Sequence, residues 1–289
     1  LDVLELTAFD TDRQARFESY VSDLRAVFHR ADQALRFRAY LRGLLQPGGR
    51  KNIESIAAAA AGSMMVESNL PQALQHFVSY SPWDSDRLLA ALRSQSREAR
   101  RDPEAALVIH DVAFAKKGVH SVGAHRQFDR SAGKKLNCQI GIFVTQVGPR
   151  GEFPLAARLY VPGGWLKDYP EIAVRTIPEE RREPKSKAEI ALALLEELRS
   201  EGESIRVVYP EAGYHSGSNF TDVLIQRSWS ISTEDRRLEA ARSRLAWMGT
   251  ELGLDHFEGR TWHGWHHHVS LVFAAYYLLA TESRTSPPR

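Results

Sequence analysis

The chain has 289 residues, with 38 Lys and Arg against 36 Asp and Glu, a formal net charge of +2 at pH 7. Its 43% apolar and 26% charged residues exclude disordered and fibrous classes and fit one large or two modest globular domains. One cysteine, Cys138, excludes an internal disulfide, and the longest apolar run, Val269 to Ala280, falls short of the ~20 residues of a spanning helix. A cytoplasmic protein with no membrane partner is the resulting expectation.

Residues 1–100 read as a helical domain. Leu24, Val27, Phe28, Leu35, Phe37, Tyr40, Leu41 and Leu44 recur at helical spacing, and Pro47, Gly48 and Gly49 end that helix. A second helix runs through Ile53, Ile56 and the alanines Ala57 to Ala61. A third starts at the cap residue Asp84 and carries Leu88, Leu89 and Leu92. The charged stretch from Arg93 to Glu104 offers little to bury and sets the boundary, so residues 101–289 form the second domain.

Beyond the boundary the pattern turns to strands. Ala106 to Ile109, Cys138 to Thr145 and Leu155 to Val161 are rich in β-branched and aromatic residues and suggest a meander. Ser186 caps a helix through Ile190, Leu194, Leu195 and Leu198 to Gly202, and the short strand Ile205 to Tyr209 joins the sheet in parallel through that crossover. Helices from about Glu234 to Leu252 and from Trp262 to Thr281 follow, with a frayed tail from Ser283 to Arg289. The order predicts an α/β fold: a ribonuclease H-like mixed sheet with flanking helices, preceded by the all-α N-terminal domain. In that order the first and fourth strands are neighbours and place Asp111 and Glu211 at one sheet edge. Paired carboxylates there can hold divalent metal for phosphoryl transfer, although acids at strand ends also serve as caps and turn residues.

Longer strings carry a resemblance. Leu107 to Phe128, Asn137 to Phe143, Arg206 to Tyr214 and Glu251 to Leu271 resemble transposases of the IS701 group within the IS4-like DDE class. Tyr40 to Ala57 and Trp83 to Arg93 resemble the helical entry domain of the same family. The resemblance implies a DDE triad that holds metal and cuts or joins DNA strands. Asp111 matches its first acid, preceded by His110 where an acid is frequent and followed by Val112. The second aspartate falls on Glu211, one methylene longer, and the position of the catalytic glutamate is Arg242. A long insertion that separates the second acid from the catalytic helix in the family is reduced here to Ala212 to Ala241. These departures imply that strand transfer is lost, and continuous patterning on both sides of the deletion favours a reused scaffold over a decayed gene.

Other residues divide between structure and function. His263 and His267 have the i, i+4 spacing of metal ligands, but the run His266 to His268 belongs to the family string and reads as structural. Trp262 and Trp265 read as packing anchors, and Cys138 as a buried thiol. Lys116, Lys117, Arg126, Arg130, Lys134 and Lys135 form a local basic excess beside the acids. They suit phosphate contact, or equally a solvated hairpin.

The leading expectation is a transposase-derived nucleic-acid-binding protein, with DNA or tRNA as partner and a homodimer as a further expectation. One alternative is an aminoacyl-tRNA-dependent transferase acting on a small-molecule acceptor, in which Asp111, Glu211, His215 or His110 orients or deprotonates the acceptor. A second is a residual nuclease using Mg or Mn at Asp111 and Glu211, with Glu258 as substitute third acid. A non-catalytic protein-interaction module is the fallback.

Overall fold

The computed structural model describes residues 10–61, 69–130, 132–214, 219–232 and 234–285. Five helices come first: α1 (Thr11–Asp23), α2 (Ala31–Leu44), α3 (Ile53–Ala61), α4 (Leu70–Ser79) and α5 (Ser85–Ser96). Four strands follow: β1 (Ala106–Ala115), β2 (His125–Asp129), β3 (Lys134–Gly148) and β4 (Gly151–Tyr160). Short helices α6 (Gly163–Asp168) and α7 (Pro170–Thr176) lead to α8 (Lys187–Ser200), β5 (Val207–Pro210), α9 (Phe220–Gln226) and β6 (Ser230–Ile231). The last two helices are α10 (Asp235–Leu252) and α11 (Trp262–Thr285).

The chain forms two compact units. One comprises residues 1–99, 245–259 and 263–289; the other comprises 100–244 and 260–262. The expected domain 101–289 therefore differs in its C-terminal part, which groups with the N-terminal helices. The cause is the apolar character of α11, whose residues from Leu271 to Ala280 are all buried. Tyr20 donates to the Ala274 carbonyl at 2.9 Å, and Tyr40 lies 2.9 Å from His268 Nδ1.

Within this helical unit the expected single helix through Leu24 and Leu44 is broken. Phe28 is extended at φ −100°, ψ 126°, so α1 ends before it and α2 begins after Arg30. The extended residue drops Phe28 into an aromatic cluster, with ring centroids 4.8 Å from Phe37 and 5.4 Å from Trp83. Asp84 caps α5 as its sequence suggests, accepting from the amides of Asp86 and Arg87. Two consecutive histidines of α11 are buried and bound to different partners. His267 reaches the carbonyls of Val78 and Trp83 at 2.9 and 2.8 Å, and His268 reaches Tyr40 and the Gly253 carbonyl.

The second unit is built on a six-stranded mixed sheet in the order β2-β3-β1-β5-β6, with β4 also paired to β3. β1 is antiparallel to β3 and parallel to β5, which makes the sheet and its flanking helices ribonuclease H-like. Register decides which side chains share a face. Val108 and His110 lie on one face, where Val108, Val147 and Tyr209 pack with Leu238 and Ala241 of α10. Asp111 lies on the other, together with Arg158 of β4, which pairs at 2.7 Å with Glu197 of α8.

α8 starts at a capping box: Ser186 accepts from the Glu189 amide, and Glu189 accepts from the Ser186 amide. Its buried Leu194, Leu195 and Leu198 each contribute about 2 kcal/mol of apolar burial. The stretch expected to hold little for burial is more structured than its charge suggests, because Arg93, Ser96 and Arg100 are buried. Arg100 is satisfied by Gln146 at 2.9 Å and by Glu203 at 2.5 Å.

One close approach in the helical unit depends on the absence of a side chain. A Cβ at Gly43 of α2 would lie 2.7 Å from the Ile56 carbonyl oxygen and 2.8 Å from its Cα in α3. Gly43→Ala is expected to force the two helices apart at a cost of about 1 to 3 kcal/mol, read as a fall in the urea midpoint at unchanged m-value.

Candidate functional site

β1 pairs with β5 only from Leu107 to Ile109, so Asp111 lies where its neighbour has already ended. The Glu211 amide donates to the Ile109 carbonyl at 2.8 Å, turning the chain off the end of β5. Its carboxylate then replaces the missing strand: Glu211 Oε2 accepts from the Asp111 amide at 3.0 Å. The structure thus brings the two predicted acids together where β5 ends beside β1, both side chains almost fully buried at 7% and 3% exposure.

Buried carboxylates need compensation, and each has a cation of its own. Lys187, the first residue of α8, forms an ion pair with Asp111 Oδ2. Its ammonium also lies 5.6 Å from the centroid of the Tyr160 ring. Arg242 of α10 forms an ion pair with Glu211 Oε1. Tyr214 donates to Asp111 Oδ1 at 2.5 Å, and Arg130 Nε lies 3.9 Å from Asp111 Oδ2.

Local sequence explains how these groups arrive. The capping box at Ser186 fixes the start of α8 and hence Lys187. Tyr209 donates to Asp235 Oδ1 at 2.5 Å, and Arg237 donates to the carbonyls of Glu104 and Val147, so the first turns of α10 are held before Arg242 is reached. Gly213 has φ +102°, and a Cβ there would strike the Arg130 guanidinium.

Burial, and then the charge of Asp111, push the Tyr214 hydroxyl well above its ordinary range. The Tyr160 hydroxyl is raised for the same two reasons. Tyr209 is pushed up to about 12, chiefly because Asp235 accepts its proton in a hydrogen bond. His110 points to the face opposite Asp111, fully buried, with Nε2 3.3 Å from Thr145 Oγ1 and Nδ1 without a partner. Burial, helped by the Arg242 charge, lowers it to about 3, so it is neutral at pH 7.

The other predicted residues are placed as follows. Glu258 belongs to the helical unit, where it is exposed and pairs with Arg50 at 2.7 Å. His215 lies outside the described residues. Lys117, Arg126, Lys134 and Lys135 are exposed, whereas Lys116 is half-buried with its amide bonded to the Asn137 carbonyl at 3.0 Å. Arg130 leans toward Asp111. Sequence reasoning did not single out Lys187, Tyr214 or Tyr160. The available signals were the Ser186 cap, which puts Lys187 at a helix start, and the string Arg206 to Tyr214, which contains the tyrosine.

A family model described as DDE superfamily endonuclease matches residues 23–246. The chain belongs to this family. A curated relative from Microchaete diplosiphon, described as a probable transposase for insertion sequence element IS701, is 28% identical over 154 residues. That match covers 53% of this chain and 37% of the relative, so the chain spans little more than a third of the protein it resembles. No solved structure matches.

The metal ions that a DDE triad implies do not fit the residues present. Lys187 and Arg242 already neutralise the two acids, and no cluster of three or more His, Cys, Asp or Glu suited to a metal occurs among the described residues. Arg242 itself stands at the position where the family resemblance places the third acid.

Two measurements follow from this geometry. Arg242→Leu leaves Glu211 buried without its cation and is expected to cost about 1 to 2 kcal/mol in urea unfolding, less than for a fully buried pair because the guanidinium is 38% exposed, much of it recovered when Glu211→Gln is added. His110 binds a proton near pH 3 when folded but near 6.5 when unfolded, so its contribution is present above pH 6.5 and falls as pH drops toward 3. The unfolding free energy of wild type should lose about 1.4 kcal/mol per pH unit more steeply than that of His110→Leu across this window.

Proposed function

We propose that this member of the DDE endonuclease family is a transposase-derived nucleic-acid-binding protein that no longer performs metal-dependent strand transfer. The observation that carries the reading is the pairing of Asp111 with Lys187 and of Glu211 with Arg242. Two-metal chemistry needs carboxylates free to take divalent ions. Here the same oxygens are spent on side-chain cations.

Exposed Lys117, Arg126, Lys134 and Lys135 support the binding half of the reading. They are close in sequence along β2, β3 and the segment after β1, and Asn137 ties that segment to β3 by donating to the carbonyls of Lys116 and Gly118 at 2.7 and 3.0 Å. Cations held this way suit a phosphate backbone, whose counterions they release on binding.

The test is binding of the full chain to duplex DNA and to tRNA at two salt concentrations, beside Lys117→Ala/Lys134→Ala/Lys135→Ala. Affinity should fall steeply with salt, and the variant should reduce the slope of log K against log salt by up to about 3. No strand nicking is expected with Mg or Mn. Nicking that needs Mg or Mn and disappears in Asp111→Ala would overturn the reading in favour of a nuclease. Selective binding of tRNA, with consumption of charged tRNA in the absence of Mg, would favour the transferase.

A further inference from the structure

β2 and β3 form a two-stranded ribbon whose register pairs Arg126 with Asn137, Gln127 with Leu136, Phe128 with Lys135 and Asp129 with Lys134. Directly opposed residues share a face, so Arg126, Phe128 and Lys135 lie together on one side. All three are exposed, Phe128 by 50%, which is high for a phenylalanine on a strand. The ribbon is anchored through its opposite side: Gln127 donates to the carbonyls of Gly123 and Cys138 at 3.1 and 2.8 Å. Asp129 is turned to that side as well and accepts from the Ala132 amide at 3.3 Å. The outward face therefore carries one bare aromatic ring, two cations and no acid.

We propose that Phe128 is a stacking platform for an unpaired nucleobase, with Arg126 and Lys135 holding the flanking phosphates of a single strand. The proposal rests on the nucleic-acid reading above and narrows it to unstacked bases. A duplex offers phosphates to the cations but keeps its base faces covered, whereas a single strand offers both. A protein partner would have no use for a ring framed by two positive charges unless it were acidic. The ring's π-face has no such restriction with bases, because every base has a complementary flat surface.

The experiment measures affinities of the full chain for a 20-nucleotide single-stranded DNA, an RNA of the same sequence and the corresponding DNA duplex, all at one salt concentration. Variants are Phe128→Ala, Phe128→Leu, Phe128→Trp and Lys134→Ala/Lys135→Ala. The ratio of single-strand to duplex affinity should fall on the order of tenfold in Phe128→Ala and Phe128→Leu and be kept in Phe128→Trp, since stacking needs an aromatic ring rather than an apolar one. The lysine variant should weaken all three ligands, and whichever of DNA or RNA shows the larger Phe128 effect is the strand the platform serves. An unchanged ratio in Phe128→Ala overturns the platform while leaving general nucleic-acid binding intact. Equal loss on duplex and single strand also overturns it. Wild-type protein that binds none of the three defeats the nucleic-acid reading, and the platform with it. Circular dichroism separates these results from misfolding, because a half-exposed side chain can be truncated without opening the core.

Discussion

Two buried carboxylates, Asp111 inside β1 and Glu211 just past the end of β5, are the constraint around which the sheet unit is arranged. Asp111 and Glu211 meet because β5 stops two residues before β1 would need its next partner, and the Glu211 side chain takes the hydrogen bond that the strand no longer offers. Bringing like charges together on side chains almost closed to water is unfavourable unless each is answered, and the answering Lys187 and Arg242 keep 27% and 38% of their side chains exposed. The answers come from two helices on opposite faces of the sheet: Lys187 from the start of α8 and Arg242 from the middle of α10. The capping box, the Tyr209 to Asp235 bond and the Arg237 contacts fix those helices in turn, so much of the local architecture serves two ion pairs.

The strand order was readable from short-range signals, β-branched runs and a capping serine, and it sets Asp111 and Glu211 side by side, although β1 continues to Ala115 and holds Asp111 in its interior rather than beyond its end. Lys187 was not readable, because its contact with Asp111 joins residues 76 apart and exists only once the crossover helix is laid on the sheet. α1 also escapes periodicity, since one of its three buried residues is Arg13, beside Phe17 and Val21. β2 is missing from the expected strands because His125 to Asp129 contains one apolar residue, and that residue faces outward. The expected single helix from Leu24 to Leu44 is broken at Phe28, whose aromatic neighbours reward an extended backbone more than local propensity rewards a helical one.

The grouping of α11 with the N-terminal helices has the same origin. Its sequence shows a long apolar segment but not which surface that segment covers. The hydrogen bonds from Tyr20 and to His267 and His268 decide the matter through polar atoms spaced along a helix that is otherwise apolar on every side. Chain order thus places α11 after the sheet, while packing returns it to the helices that precede the sheet.

The two ion pairs also differ from bound metal in a kinetic sense. A divalent ion arrives from solution, exchanges, and leaves when a chelator or a competing phosphate removes it. An ammonium on a four-carbon stem or a guanidinium on a helix has no such exit, because its local concentration is set by covalent attachment. On the proposed reading, the electrostatic state of this site is set when the chain folds rather than by the supply of magnesium or manganese.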